Sequence, residues 1–552
     1  MVNHTSSMKI KQLEYKLVFL FIIILFAVFL FLPLGSLLLK SFDTGQGFSI
    51  QNYIDILTSS NFLTTLGNSI KVSLLSAVIA VVLAFILSFS LHYTNINEKI
   101  KKVIHVVATL PMLLPTITYG FVIIYSFGKQ GLITQLLGQQ ILDIYGFNGI
   151  LLGYVIYTLP IAFLLIQNAM KYIDKKFITV SKLMSDSSIK TLRTTLLRPL
   201  MTTLAAAFIQ AFFLSFTDFG IPAAVGGQYQ VIASQLYQTM LGSVPDFAHG
   251  SVIAILMLVP SLISTWILHY LDKYSVSYSK VSLYEITKNK FRDVFCIIVS
   301  SLITITIIVL FAVIVIVPFT SQWPYQTSFT LDHFLSVIHD SSLFGVYRNS
   351  LIVALFTALA GTLITYIAGL VSVRSELKKR NKKLVFILSL ISNTIPGMVL
   401  GIAYLFIFSG SSLQNTFLIM IICNVIHFFS TPYLMIKGTL EKMNHSYETT
   451  SKLMGDSWLK TIIRILTPNS LITLLEMFSY YFINGMVTIS AIIFITGARN
   501  MVITAKIKEL QYFSRFNEIF ILSLLILVTN LVVKYLTNFY INKKRRIKNE
   551  KI

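Results

Sequence analysis

One polar segment occurs twice in this chain, and its residue types suit recognition of another protein. The first copy reads Ser181-Lys182-Leu183-Met184-x-Asp186-Ser187-x-x-Lys190-Thr191, and the second reads Ser451-Lys452-Leu453-Met454-x-Asp456-Ser457-x-x-Lys460-Thr461, with eight of eleven positions identical. In each copy an apolar pair lies among charged and hydroxyl groups, which lets a short helix fill a partner's groove. We therefore expect the repeat to bind a two-fold partner. The alternative is an ordinary basic loop, the usual meaning of lysine-rich connections in membrane proteins.

The common catalytic and metal-binding motifs are missing from the sequence. It contains no Gly-x-x-x-x-Gly-Lys-Ser/Thr phosphate loop, no His-Glu-x-x-His pair and no nucleophile elbow. The two cysteines, Cys296 and Cys423, each lie within an apolar segment, so neither a disulfide nor a metal site is expected. We expect no enzyme activity, no cofactor and no metal. Any energy input would come from a separate subunit or from an ion gradient.

The composition identifies an integral membrane protein. Of its 552 residues, 55% are apolar and only 12% are charged, whereas soluble domains carry about a quarter charged residues. The net charge of +22 would suggest a nucleic-acid partner in a soluble protein. In a membrane protein an excess of Lys and Arg on the inner side explains that charge. The partner surface that the composition predicts is therefore the lipid bilayer and not nucleic acid.

Apolar runs and basic loops predict the topology. Twelve segments are long enough to cross a bilayer as helices, at about twenty residues each. They start near Leu17, Ser69, Ile104, Gly149, Leu200, Gly250, Val294, Ser350, Leu384, Thr416, Leu471 and Phe516. With the N-terminus inside, 36 of the 44 Lys and Arg residues fall in inner loops and tails. This distribution predicts a multi-pass plasma-membrane protein with both termini and both repeated segments in the cytoplasm.

The duplication extends over the whole chain. Three pairs share one constant offset along the sequence: Phe48 with Phe329, Asn68 with Asn349, and Pro115 with Pro396. Six spans per half return the chain to the same side, so the halves are parallel repeats. The predicted fold is an all-α integral membrane protein with twelve transmembrane helices in two parallel six-helix repeats, residues 1–275 and 276–552.

The second copy of the segment resembles the EAA loop of ABC-importer permeases. That pattern is Glu-Ala-Ala, three residues, Gly, and then Pro thirteen residues after the Gly; Gly455 and Pro468 have this spacing. Small residues stand at the Glu-Ala-Ala positions, namely Thr449, Thr450 and Ser451, with Glu448 one position early. In the first copy Ser185 replaces the glycine, and Pro199 follows it after fourteen residues. A glycine there would permit a sharp turn between two helical pieces.

The resemblance implies a type I ABC-importer permease, with two copies of an ATP-binding subunit beneath residues 171–199 and 439–468. It also implies an extracytoplasmic substrate-binding protein, for which loops 40–66 and 319–347 are candidate contacts. The candidate ATPase-coupling residues are Ser181, Lys182, Leu183, Met184, Ser185, Asp186, Glu448, Ser451, Lys452, Leu453, Met454, Gly455, Asp456 and Pro468. Trp458 is expected beside the apolar pair. The alternative class is a secondary transporter driven by an ion gradient, which would need paired intramembrane charges.

Two segments narrow the substrate within this family. Residues 215–227, Ser-Phe-Thr-Asp-Phe-Gly-Ile-Pro-Ala-Ala-Val-Gly-Gly, are similar to a segment of iron-type and phosphonate-type permeases. Residues 486–494, Met-Val-Thr-Ile-Ser-Ala-Ile-Ile-Phe, look like the phosphonate type. The resemblance therefore favours 2-aminoethylphosphonate, with ferric iron or thiamine as the alternative.

Four residues are candidates for the translocation path. Asp218 ends an apolar segment, where it could line the path or pair with a base; the alternative is a hydrated position at the interface. Glu476 lies inside the eleventh span, where an interhelical hydrogen bond is the alternative. Pro115 and Pro396 are expected to kink spans three and nine at matching positions, though proline is also common in membrane helices without a special role.

Overall fold

The computed structural model describes residues 15–273 and 289–549. Nothing is said of the side chains of Lys182, His269, Asp272, Lys452 and residues 547–549. The predicted coupling residues Lys182 and Lys452 are therefore described by backbone alone. The predicted boundary at residues 275 and 276 lies outside the described residues, as do Lys9 and Lys11 of the N-terminal tail.

Helices account for almost all of the described secondary structure. The first part of the chain contains α1 (Tyr15–Phe42), α2 (Gln51–Thr58), α3 (Ser60–His92), α4 (Glu98–Thr109), α5 (Thr116–Phe127), α6 (Leu132–Leu137), α7 (Phe147–Tyr172), α8 (Lys176–Leu183), α9 (Ser188–Leu192), α10 (Arg198–Thr217), α11 (Gly220–Val225), α12 (Ile232–Leu241) and α13 (Phe247–Asp272). A π-helical turn, Ala27–Phe31, lies within α1, and another, Arg193–Leu197, joins α9 to α10.

The second part follows a similar order: a small hairpin is added, α6 and α11 have no α-helical counterpart among the described residues, and two helices take the place of α7. It contains α14 (Lys290–Ile316), β1 (Thr320–Gln322), β2 (Gln326–Phe329), α15 (Asp332–His339), α16 (Ser341–Arg374), α17 (Lys379–Ile391), α18 (Gly397–Phe408), α19 (Phe417–His427), α20 (Ser430–Lys442), α21 (Ser446–Leu453), α22 (Trp458–Thr461), α23 (Thr467–Val487), α24 (Ile503–Tyr512) and α25 (Phe516–Asn549). Strands β1 and β2 pair antiparallel, with Thr320 opposite Phe329. A third π-helical turn, Ile462–Leu466, joins α22 to α23.

The described helices agree with the predicted twelve spans. Within residues 15–273 and 289–549, nine helices are long and apolar enough to cross a membrane, and three bent pairs bring the number to twelve if each pair is one span. The bent pairs correspond to the third, ninth and tenth predicted segments. The all-α membrane fold expected from the sequence is confirmed, apart from the short hairpin.

Two of the bends fall at the prolines that the sequence singled out. The third span bends by 112° at Pro115, and the ninth bends by 102° at Pro396. The residues before these prolines, Leu114 and Ile395, are extended, because a proline ring pushes the preceding residue out of the helical region. Each proline then directly precedes a new helix. The predicted kinks are therefore complete breaks.

A third bend, of 56° between α19 and α20, was not predicted. Pro432 lies in the first turn of α20, and a proline ring excludes the carbonyl four residues earlier, here that of Phe428. That carbonyl lies between the two helices, so Pro432 accounts for the break. The corresponding span of the first half, α7, is continuous in spite of Pro160.

Helix boundaries repeat at the offset that relates Phe48 to Phe329 in the sequence. Both ends of α2 (Gln51–Thr58) and α15 (Asp332–His339) are related by this offset. The same offset relates the first residues of α3 and α16, Ser60 and Ser341. Each of these two helices starts after a residue whose side chain caps the helix, Ser59 or Asp340. The internal repeat is thus structural as well as sequential.

The chain divides into two compact units that are not contiguous in sequence. The N-unit consists of Ser49–Ile338 and Ile507–Leu524, and the C-unit consists of Met1–Phe48, His339–Lys506 and Leu525–Ile552. The first span therefore belongs with the second half of the sequence, and α14 belongs with the first half. The predicted division into residues 1–275 and 276–552 follows the repeat along the sequence and stays a prediction.

Within each unit, a glycine at the same repeat position allows two segments to meet closely. In the N-unit, a Cβ on Gly120 of α5 would overlap Ala224 of α11. In the C-unit, a Cβ on Gly401 of α18 would overlap the carbonyl oxygen of Ala491. Small residues permit such backbone contact between membrane segments.

We predict that Gly401→Ala destabilises the chain by about 1–3 kcal/mol, because the added methyl must displace backbone. Gly438→Ala is the matched control: Gly438 also lies inside a C-unit helix, and nothing lies within 4 Å of the position that its Cβ would take. That change should be neutral or stabilise by up to about 1 kcal/mol through helix propensity. Thermal unfolding of the purified chain in detergent measures both. Equal melting temperatures for the two variants would contradict the close contact.

Candidate functional site: the two repeated loops

The two repeated segments fold into the same helix–turn–helix. In the first loop (residues 171–199), α8 ends at Leu183 and α9 begins at Ser188. In the second loop (residues 439–468), α21 ends at Leu453 and α22 begins at Trp458. One residue in each turn has a left-handed backbone, Ser185 with φ +58° and Gly455 with φ +77°. The expected turn therefore forms in both loops, even where serine replaces glycine.

Backbone hydrogen bonds close each turn as a Schellman motif. In the first loop the N–H of Asp186 donates to the carbonyl of Ser181 at 3.1 Å. In the second loop the N–H of Asp456 donates to the carbonyl of Ser451 at 3.0 Å. This pairing satisfies a carbonyl that the helix end would otherwise leave free, and it requires the left-handed residue between the partners.

Side chains of the first repeated segment reinforce its turn. The buried hydroxyl of Ser181 donates to Asp186 Oδ2 at 2.7 Å and lies 3.0 Å from the hydroxyl of Thr191. Lys190 Nζ lies 2.5 Å from Asp186 Oδ1. The aspartate therefore ties the end of α8 to α9. Four of the eight identical positions hold the loop together from inside.

The second loop has the same network at the equivalent positions. The hydroxyl of Ser451 donates to Asp456 Oδ2 at 3.2 Å and lies 2.7 Å from that of Thr461. Lys460 forms the ion pair with Asp456. The hydrogen bond from the lysine lowers the pKa of Asp186, and likewise that of Asp456, so both carboxylates are charged at neutral pH. The network itself thus accounts for much of the sequence identity between the loops.

A serine also starts the second helix of each loop. Ser187 Oγ accepts the N–H of Lys190 at 3.3 Å, and Ser457 Oγ accepts the N–H of Lys460 at the same distance. Serine is among the preferred N-cap residues, because its oxygen satisfies an N–H that the first helical turn leaves free. The fifth identical position therefore also has a structural role.

Two of the three remaining identical positions are apolar and face outward. The exposed fractions are 81% for Leu183, 73% for Met184, 84% for Leu453 and 77% for Met454. A third position extends each apolar face, Ile189 in the first loop and Leu459 in the second, and both are exposed. Exposed apolar groups that recur at equivalent places mark an interaction surface. We call Leu183, Met184 and Ile189, and Leu453, Met454 and Leu459, the two apolar triads.

Trp458 does not lie with these triads as expected. Its ring meets Tyr15 edge-on, with 4.4 Å between centroids. It also packs against a buried cluster of the C-unit formed by Tyr366, Leu370, Ile436, Leu440, Ile462, Leu466 and Met477. Trp458 and Leu459 are neighbours in α22, about 100° apart around the helix axis, and Trp458 packs inward while Leu459 is exposed. It supports the second loop from beneath.

Of two other predicted coupling residues, Glu448 is turned inward and Pro468 is exposed at the start of a span. Glu448 lies one residue ahead of its expected place, and its side chain, 15% exposed, forms an ion pair with Arg374. Pro468 is the second residue of α23, directly after the π-helical turn, and Pro199 has the same place in α10. A proline is tolerated there because the first helical N–H groups have no partner within the helix. Neither Glu448 nor Pro468 belongs to the apolar triads.

Asp218 is buried and serves as a junction within the N-unit. Its Oδ2 accepts the N–H of Ile221 at 2.9 Å, and it also bonds to the hydroxyl of Thr116. Thr116 begins α5 directly after the break at Pro115. The carboxylate thus holds the end of α10 against the start of α5. The alternative of a hydrated position at the interface does not fit, because the residue is only 8% exposed.

Glu476 lies in α23 of the C-unit, half-buried. Its Oε1 is 3.7 Å from Arg545 Nη2, near the end of α25. Glu476 and Arg545 therefore form a long ion pair between two helices. Pro115 and Asp218 lie together in the N-unit, and Pro396 and Glu476 belong to the C-unit.

Sequence reasoning missed three residues that support the loops. Thr191 and Thr461 belong to the repeat but received no role, because the hydroxyl pairing is visible only once the two helices fold together. Arg374 was counted only among the basic residues of a loop, yet its side chain is fully buried. A charged residue at the very end of a long apolar segment is a signal that could have identified it.

A family of known proteins matches two parts of the chain that contain the repeated loops. The family described as "Binding-protein-dependent transport system inner membrane component" matches residues 80–274 and 361–546. The chain is 26% identical over 512 residues to "Ferric transport system permease protein FbpB" of Actinobacillus pleuropneumoniae, covering 88% of this chain and 72% of that protein. It is 26% identical over 498 residues to "Putative ferric transport system permease protein FbpB 1" of Haemophilus influenzae, covering 86% and 77%. Both repeated loops lie within the family matches.

The one residue that differs within the turn allows a reciprocal test. A side chain in the left-handed region costs about 1–2 kcal/mol, so Ser185→Gly should relax the first loop and Gly455→Ser should strain the second. We expect slower amide exchange at residues 184–188 in the first variant and faster exchange at residues 454–458 in the second. Hydrogen–deuterium exchange of the purified chain measures both. The same direction of change in both loops would contradict the role of the turn.

Proposed function

The chain belongs to the family of binding-protein-dependent transport system inner membrane components, and on that basis we propose that it imports ferric iron. It is the permease of an ABC importer. The proposed substrate is supported by the names of two relatives, both ferric transport permeases, which match more than four-fifths of this chain. The phosphonate specificity favoured by residues 486–494 is not confirmed, and iron, the alternative expected from the sequence, has the stronger support.

The observation that carries the coupling role is the pair of apolar triads. Each triad is presented by a turn whose own hydrogen bonds hold it in shape. A preformed surface loses little conformational entropy when it binds, which favours affinity. We propose that each loop binds one copy of a separate ATP-binding subunit. The sequence has no phosphate-binding loop, so hydrolysis would take place in those subunits.

The proposed orientation follows from the distribution of Lys and Arg. The loops carry basic residues, which favours a cytoplasmic position, and both termini would then lie on that side. The opposite face would then carry α2, α15 and the β1–β2 hairpin. These elements lie within residues 40–66 and 319–347, and they are the proposed contacts for an extracytoplasmic substrate-binding protein. Each half of the repeat would thus contribute one helix, α2 or α15, to the contact with the substrate-binding protein.

The breaks at Pro115 and Pro396 are the proposed borders of the translocation path. Non-helical backbone at membrane depth is tolerated only where protein buries it or where it lines a cavity. Asp218 stabilises the first break through Thr116, so its proposed role is to hold the path in shape. Glu476 has a corresponding proposed role in the C-unit through Arg545. Movement of the loops would be transmitted to these breaks by the spans that follow them.

We predict that Leu453→Asp, like Leu183→Asp, weakens binding of the ATP-binding subunit. Loss of one buried leucine contact corresponds to about 1.5–3 kcal/mol, or roughly tenfold to more than hundredfold in Kd. Ile463→Arg is the matched control. It adds a charge at an exposed position of the second loop whose counterpart in the first loop is already Arg193. Retention of the subunit on the affinity-purified permease measures the effect, and equal retention in all variants would contradict the docking surface.

The substrate proposal predicts which uptake is lost with the gene. A deletion strain should lose accumulation of radioactive ferric iron, and the complemented strain should recover it, while uptake of labelled 2-aminoethylphosphonate stays unchanged. Loss of phosphonate uptake alone would restore the specificity expected from residues 486–494. If iron uptake persists in a strain that lacks the ATP-binding subunit, an ion-driven transporter becomes the better explanation.

A further inference from the structure

A buried arginine ties the second loop to a membrane span. Arg374 is the last residue of α16, and its side chain is 0% exposed. Its Nη2 donates to the carbonyl oxygens of Leu440 and Met443, the latter at 2.6 Å. Its Nη1 lies 3.0 Å from Glu448 Oε1 and donates to His445 Nδ1, also at 3.0 Å. One guanidinium therefore contacts the end of one helix and the start of another.

The chemistry of these contacts suits arginine in particular. Leu440 lies in the last turn of α20, whose carbonyl groups have no partner within the helix and carry partial negative charge. Glu448 lies in the first turn of α21. Arginine presents several N–H donors in one rigid plane, so it can bind carbonyl oxygens and a carboxylate at once, which lysine cannot do with the same geometry. Arg374 thus joins α16, α20 and α21.

The first half of the repeat lacks this device. Tyr93 occupies the position of Arg374 by the offset that relates α3 to α16, and Lys175 and Ile178 occupy those of His445 and Glu448 by the offset that relates the two loops. Lys175 Nζ lies 5.6 Å from the centre of the Tyr93 ring, a cation–π contact. Ile178 has no carboxylate to offer. A cation–π contact is less directed than the four hydrogen-bond contacts of a buried guanidinium, so it constrains a loop less.

We propose that Arg374 is a positioning residue that fixes the second loop to α16 and makes it the stiffer coupler of the two. This inference rests on the proposed role of the loops in binding ATP-binding subunits. Movement imposed on α21 passes through the guanidinium to α16, a membrane span of 34 residues. The first loop, held by Lys175 and Tyr93, deforms more before its movement displaces α3. For the same displacement of the ATP-binding subunits, the two halves therefore pass unequal movements to their spans.

The mechanical part of the proposal is tested without any transport. Arg374→Met keeps a long unbranched side chain and removes the charge, and Lys175→Met makes the corresponding change in the first half. In the purified full-length chain we expect amide exchange in residues 440–452 to accelerate at least about tenfold in Arg374→Met. Residues 170–182 should change little in Lys175→Met. Unchanged exchange in the first variant, or equal acceleration in both, would overturn the proposal.

The coupling part is tested in proteoliposomes that contain the permease, its ATP-binding subunits and the substrate-binding protein. The readout is the number of ATP molecules hydrolysed per ferric ion imported. Arg374→Met should raise this ratio several-fold while the ATP-binding subunits remain bound, and Lys175→Met should leave it near the wild-type value. A role confined to folding would lower hydrolysis and import together at a constant ratio, and that result would contradict the inference.

A substitution with residues from the first half provides the third comparison. The triple variant Arg374→Tyr, His445→Lys and Glu448→Ile gives the second loop the anchor of the first. It should fold, and its ATP-to-iron ratio should rise to a value like that of Arg374→Met. A wild-type ratio in this variant would show that the buried arginine is dispensable. If the wild-type complex imports no iron at all, the proposed substrate fails, while the exchange experiment still decides the role of Arg374.

Discussion

The bond between a serine hydroxyl and an aspartate is the interaction on which both repeated loops depend. Ser181 and Ser451 each donate to the aspartate five residues later, and each also pairs with a threonine of the following helix. These contacts close the turn and leave the neighbouring leucine and methionine exposed. A polar network therefore shapes an apolar surface. The polar residues shape the turn and the apolar residues form its exposed surface, which explains why the two copies share both sets of positions.

Beneath the loops, the two halves differ in ways that the repeat conceals. The C-unit supports its loop with a fully buried arginine, with Trp458 and with a cluster of buried apolar side chains. The N-unit places a tyrosine and a lysine at the corresponding positions. Within the spans, Asp218 stabilises the break at Pro115 by a bond to Thr116, whereas the C-unit has Thr488 and Gly397 at those places. Equal topology thus coexists with unequal chemistry.

Much of the fold could be predicted from the sequence because the bilayer leaves few choices. Apolar length indicated the twelve spans, and prolines indicated two of the three breaks, since a proline in the interior of a helix removes a hydrogen bond. The repeat identified the loops and their apolar pair. Contacts between distant residues could not be predicted in the same way. Trp458 was expected at the surface, because a single sequence does not show which side of a four-residue helix is covered. Arg374 was not identified because the equivalent residue of the first half is Tyr93, so the repeat did not single out this position.

The substrate, too, could not be predicted from a short segment of the sequence. Residues 486–494 form the end of α23 and a short 3₁₀ turn, Ile492–Phe494, and their similarity to phosphonate-type permeases was a local signal. Relatives that match over most of the chain carry names that refer to ferric iron. Specificity in a binding-protein-dependent importer is expected to reside largely in the separate binding protein. A short segment of the permease is therefore a weak guide to what is carried.

Photo-cross-linking from the apolar triads would show directly what these surfaces contact. A photoreactive amino acid would replace Leu183 in one variant and Leu453 in another, with Ile463 as the position outside the triads, and the assembled complex would be irradiated in native membranes. We expect both triad positions to attach to the ATP-binding subunit and position 463 to attach far less. Attachment of both triad positions to lipid, or to other parts of this chain alone, would contradict the coupling role of the loops.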